Sequence, residues 1–160
     1  MVYISGACRG NGTSESRASY GVYFGPGSPH NASGLLPSTV EQSRARGVIE
    51  ALATALSSIR AIQQNDSQVV YIKVATDSSY LVGVMTWAIE DWIKDNGIGS
   101  NGQAVAHYNE LKTLHGLLDG MEHDINQLMY IQFWHVDRCM NGDANALANA
   151  ALDAAPVGPD

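Results

Sequence analysis

VVYIKVATDSSYLVGVMTWAI, residues 69–89, decides the fold. Its opening run, Val69 to Thr76, is apolar nearly throughout, the composition of a strand covered on both faces. From Ser78 the spacing changes to that of a helix, and Asp77 stands at the junction. A strand buried on both sides needs helices above and below it, so the stretch points to a layered α/β domain. A carboxylate at such a junction is placed either to hold a metal or to cap the helix that follows.

The neighbouring sequence fills in the layers. Residues 2–8 read as a strand ending in the Gly-rich turn Arg9 to Thr13. Residues 18–25 alternate Tyr20, Val22 and Phe24 against smaller or polar positions, a second strand, and residues 32–36 give a short third. A long helix is predicted over 40–62, with Val48, Leu52, Ala55, Ile59 and Ile62 on one buried face. Its start is open to two capping boxes, Ser38 with Glu41 or Thr39 with Gln42. A second helix is predicted over 78–95, a loop over 98–105, and a third helix over 106–121 with Leu111, Leu114, Leu117 and Leu118 inward. A fifth strand over 128–136, an Ala-rich helix over 143–154 and a flexible tail at 156–160 complete the chain. Three strands in meander, then helices alternating with two more strands, predict a five-stranded mixed sheet flanked by helices on both faces.

Composition sets the outer bounds. The 160 residues suit one domain, with 45% hydrophobic and 16% charged residues. No apolar run is long enough to span a membrane, so no membrane partner is expected. The N-terminus lacks the basic and apolar regions of a secretory signal. Cys8 and Cys139 form no metal-binding spacing and read as reduced thiols, which places the protein in a reducing intracellular compartment. The net charge of −7, with nine Lys and Arg spread thinly, disfavours tight nonspecific binding to phosphate backbones.

Five stretches, in order, resemble type 1 ribonuclease H, especially its eukaryotic catalytic domain. The family's first strand reads Y-x-D-G-A/S-C-x-x-N-G, and residues 3–12 read YISGACRGNG. Its G-V-Y-x-G-P-G-x-P segment is kept as GVYFGPGSP at 21–29. Its Q-T-x-x-R-A-E-L matches QSRARGVI at 42–49, and its T-D-S-x-Y-V matches TDSSYL at 76–81. Its closing H-V-x-G-H and N-E-x-A-D-x-L-A match HVDRC at 135–139 and NGDANALA at 141–148, with a shortened spacer. The resemblance covers residues 2–153 and implies one RNase H-like domain over 1–160.

The resemblance also implies a chemistry. The family cuts the RNA strand of RNA–DNA hybrids through two divalent metals, which activate water and neutralise charge developing on the phosphate. Its four carboxylate positions fall here on Ser5, Val48, Asp77 and Asn145, so one carboxylate remains. A two-residue slip would put Glu50 in place of Val48, but Gln42, Arg46 and Ala51 agree with the unslipped match. Such a slip would also turn that side chain by about 200° around the helix. Mg²⁺ demands several oxygen ligands in octahedral array, so Asp77 would hold one ion at most. No cofactor is therefore expected, and Mg²⁺ or Mn²⁺ enters only with residual activity. With its metal-binding neighbours replaced, Asp77 reads better as a helix cap.

Other positions read as follows. Gly10, Asn11 and Gly12 would lay backbone amides against nucleic acid, or simply form a tight turn. Arg44 is the better candidate for a phosphate contact, because Arg46 matches a family Arg whose role is largely structural. Trp87 and Trp92 point apart on a regular helix, so one at most faces the DNA channel of the eukaryotic relatives and the other is core. Trp134 reads as core, and His135 as a packed or edge histidine. His107, His115 and His123 read as ordinary surface or packing residues, and Cys139 takes the slot of the family's mobile His. Glu50 and Asp143 read as exposed helix charge rather than a shifted metal site. The expectation is an RNase H-like pseudoenzyme kept for binding. Its partner would be a protein, a second copy or, more weakly, a structured nucleic acid or RNA–DNA hybrid. The alternative is an active ribonuclease H with a weak metal site around Asp77.

Overall fold

A computed structural model describes residues 1–125 and 129–155. Five strands form one sheet in the order β3-β2-β1-β4-β5. Strand β1 (Val2–Arg9) pairs antiparallel with β2 (Arg17–Tyr23), which pairs antiparallel with β3 (Ala32–Leu35). On its other side β1 runs parallel to β4 (Tyr71–Thr76), and β4 parallel to β5 (Tyr130–His135). The mixed sheet predicted from the order of elements is the one observed. The start predicted for the fifth strand at residue 128 and the tail at 156–160 lie outside the described residues.

Helix α1 (Arg44–Asn65) begins later than the sequence suggested. Its cap is Ser43, whose hydroxyl accepts from the Arg46 amide at 3.1 Å, so neither predicted capping box forms. Gln42 is drawn away instead: its side chain accepts from the Ala18 amide at 2.9 Å and donates to the Pro37 carbonyl at 2.8 Å. The approach to the helix is thereby stitched to β2. Val48, Leu52, Ala55 and Ile59 are buried as the periodicity required.

Two glycines let α1 sit directly on the sheet. A Cβ on Gly6 would stand 2.4 Å from the Val48 nitrogen and 2.5 Å from the Arg44 carbonyl. A Cβ on Gly47 would stand 2.4 Å from the Ser19 carbonyl. Backbone therefore meets backbone here, and Arg44 and Val48 are fixed over β1.

After β4 the chain enters α2 (Ser79–Gly83), widens into a π-helical turn over Val84–Ala88, and resumes as α3 (Ile89–Lys94). The sequence had implied one regular helix. The wider turn leaves Trp87 80% exposed while Trp92 packs on the core. In α4 (Tyr108–Glu122), Leu111, Leu114, Leu118 and Met121 are buried, but Leu117 is exposed, contrary to the inward face predicted. The buried set keeps a three-four-three spacing, and Leu117 falls off that stripe.

A 3₁₀ turn over Arg138–Asn141 leads into α5 (Gly142–Asp153). This helix approaches the opposite face of the sheet closely, since a Cβ on Gly21 would lie 2.3 Å from the Ala144 carbonyl. Ser19 Oγ donates to the Ala148 carbonyl at 2.6 Å across the same contact. α5 packs on β1, β2 and β3, whereas α1 and α4 lie on the other side. Trp134, expected in the core, is 40% exposed, because it faces the α5 side of β5, beyond the strands that α5 packs on.

Candidate functional site

Four elements bring the predicted site residues together. β1 supplies Ser5, α1 supplies Arg44 and Val48, the position just after β4 supplies Asp77, and the start of α5 with the 3₁₀ turn before it supplies Asn145 and Asn141. The side chain of Ser5 is buried and its hydroxyl donates to Asn145 Oδ1. Val48 is buried in the core cluster and presents only methyl groups to the site.

Asp77 is not a helix cap. That role falls to Ser78, whose hydroxyl accepts from the Leu81 amide at 3.2 Å. The Asp77 side chain is only 6% exposed, and both its oxygens are engaged. Oδ2 accepts from Arg44 Nη2 at 2.8 Å, and Oδ1 accepts from Asn141 Nδ2 at 2.8 Å. Asn141 also donates to the Ile4 carbonyl at 2.9 Å, so one fully buried amide ties β1 to β4. Its own Oδ1 has no hydrogen-bond partner among the described residues. The sequence had singled out Arg44 for phosphate and had given Asn141 no role. The one signal for Asn141 was its place at the head of the NGDANALA motif.

Over this pair opens a cleft of about 270 Å³ lined by Gly6, Arg44, Ala45, Val48, Asp77 and the Ser78–Tyr80 segment. Burial, and then the nearby Glu41 carboxylate, hold the Tyr80 phenol above the usual tyrosine range, so it stays a neutral hydroxyl at physiological pH. The cleft thus offers one half-exposed guanidinium, hydroxyls and an apolar floor.

The donors do not fit a pair of divalent ions. Asp77 is the one anionic side chain among these donors, and the Arg44 guanidinium already neutralises it while Asn141 holds its other oxygen. Val48 has no donor atom, and the Ser5 and Asn145 oxygens are neutral and turned to one another. Among the described residues, no three His, Cys, Asp or Glu side chains gather anywhere. Glu50 pairs instead with Arg46 at 3.8 Å, and Asp143 is exposed on the first turn of α5.

The remaining candidates stand apart. Gly10 and Gly12 take positive φ, 66° and 80°, in the hairpin turn between β1 and β2, with Asn11 exposed between them. The bonds of that turn are local, Thr13 closing on the Gly10 carbonyl. Cys8 Sγ lies 3.3 Å from Ser16 Oγ, Cys139 is exposed, and both thiols are free. His135 is exposed at the end of the edge strand β5, while His107 is partly buried and lies 3.5 Å from Glu41.

The comparisons with known proteins agree with this architecture. The family model for RNase H matches residues 1–152. Ribonuclease H1 of Rattus norvegicus is 32% identical over 136 residues, which is 85% of this chain and 42% of the rat protein. Ribonuclease H of Saccharomyces cerevisiae is 39% identical over 84 residues, 52% of this chain and 24% of the yeast protein. The chain therefore spans well under half the length of these relatives. Among solved structures, LC11-RNase H1, isolated from compost, superposes in its complex with an RNA/DNA hybrid with a TM-score of 0.64. It is 22% identical and covers 95% of both chains.

Proposed function

The chain belongs to the ribonuclease H family, and from that premise we propose that it is a member kept for binding rather than hydrolysis. The observation that carries this reading is the 2.8 Å contact between Arg44 and Asp77. The guanidinium neutralises the carboxylate of Asp77. Paired-metal hydrolysis needs charge to spare at this point, to bind two cations and polarise water. Here the anionic donor is spent on an internal ion pair, and Ser5, Val48 and Asn145 supply no second anion.

The substrate of such a protein would be nucleic acid held without cleavage. The hybrid seen with LC11-RNase H1 supports RNA–DNA hybrid as the first ligand to try. With few cations on the surface, the binding would be weak and would depend only shallowly on salt. A protein partner or second copy is the other ligand consistent with the acidic surface. The two free thiols support a reducing compartment.

The test is direct. Labelled RNA–DNA hybrid is incubated with excess protein in Mg²⁺ and, separately, Mn²⁺. The expected result is hybrid retained in a gel-shift assay and no cleavage above the protein-free control. Cleavage that vanishes in Asp77→Asn would establish the second reading, an active enzyme with a single weak ion at Asp77. That reading draws on one feature, the half-exposed Arg44 side chain, which solvent can reach and which can swing away from Asp77.

A further inference from the structure

Among the described residues, one face of the sheet is only half covered. α5 packs on β1, β2 and β3, and on the same side β4 and β5 present Tyr71 and Lys73 beside Tyr130, Gln132 and Trp134. Alternate residues of a strand share a face, so these five side chains stand together. Tyr71 and Tyr130 are register partners, 51% and 59% exposed, and Trp134 is 40% exposed. Lys73 Nζ sits 5.3 Å from the Trp134 ring, and Tyr71 Oη donates to Gln132 Oε1. Tyr71 and Trp134 are therefore held in place by side-chain partners. Three exposed aromatic rings gathered on one face make a candidate contact site.

Charge says which contact. Among the described residues no Asp or Glu lies in any strand, although the chain as a whole carries −7. The acids are confined to helices and connections, and the open face holds one cation, Lys73, among rings and an amide. A second copy would set Lys73 against Lys73 with no acid to receive either, which is repulsive. A partner with flat rings and negative charge suits the face better. We infer that this open half of the sheet binds single-stranded nucleic acid, with bases stacked on Tyr71, Tyr130 and Trp134 and a phosphate beside Lys73. The inference does not depend on the state of Asp77.

The experiment is a fluorescence titration of the full chain with an oligothymidylate. Saturable quenching is expected, and Trp134→Phe should remove most of that signal. Tyr71→Ala and Tyr130→Ala, both at exposed positions, should each weaken binding by about tenfold. Because Lys73 is the one cation involved, log K should fall with log salt by a slope of only about −0.7. Absence of saturable quenching would overturn the inference. So would quenching that persists in Trp134→Phe but is lost in Trp87→Phe. So would a concentration-dependent dimer, seen by sedimentation, that Tyr130→Ala dissolves.

Discussion

Asn141 does three things with one amide. It closes the carboxylate of Asp77, holds the Ile4 carbonyl, and leaves its own oxygen without a partner among the described residues. A buried donor that serves two acceptors is costly to remove, because both acceptors lose their partner in a place water does not reach. Asn141→Ala should therefore lower unfolding free energy by about 2 kcal/mol in urea titration. Asn141→Asp should cost more, since it sets a second carboxylate against Asp77 Oδ1 and a carbonyl. The role of this residue was not legible in the sequence. Asp77 was, because a lone carboxylate after an apolar strand is conspicuous, but its occupation was misread. Whether such a side chain caps a helix or meets a counter-ion depends on which distant residues fold over it. Here those are Arg44 and Asn141, 33 and 64 positions away.

At the scale of elements, periodicity located the helices and strands well, and the errors fell at their ends and irregularities. The start of α1 moved to Ser43 because Gln42 found partners on β2 and at Pro37, a tertiary preference no local pattern records. The π-helical turn at Val84–Ala88 was equally hidden, since its residues suit a regular helix. The seat of α1 on the sheet is set by Gly6 and Gly47. A methyl group at Gly47 would meet the Ser19 carbonyl, a backbone atom that cannot turn aside. Gly47→Ala should cost about 3 kcal/mol in thermal or denaturant unfolding, at the upper end for overpacking, as helix and strands are pushed apart.

For the molecule as a whole, the absence of a crowded carboxylate cluster among the described residues has a thermodynamic consequence. Packed acids repel when no metal is present, and a bound ion then stabilises by mass action. Here Ser5 and Asn145 satisfy each other, and Arg44 answers Asp77. Millimolar Mg²⁺ should leave the melting temperature unchanged within error, and EDTA likewise. The variant carrying Ser5→Asp, Val48→Glu and Asn145→Asp should melt lower without metal and regain several degrees with Mg²⁺, as read by differential scanning fluorimetry. A rise of that size in the unaltered chain would contradict the reading of the site.

The glycine contacts carry this further. Where main chain rests on main chain, the architecture is anchored by shape and needs nothing from the side chains that line the cleft above it. Such a body can exchange those side chains by single substitutions without losing its outline. A ligand that recognises the outline, rather than the reaction, would still find its docking berth intact.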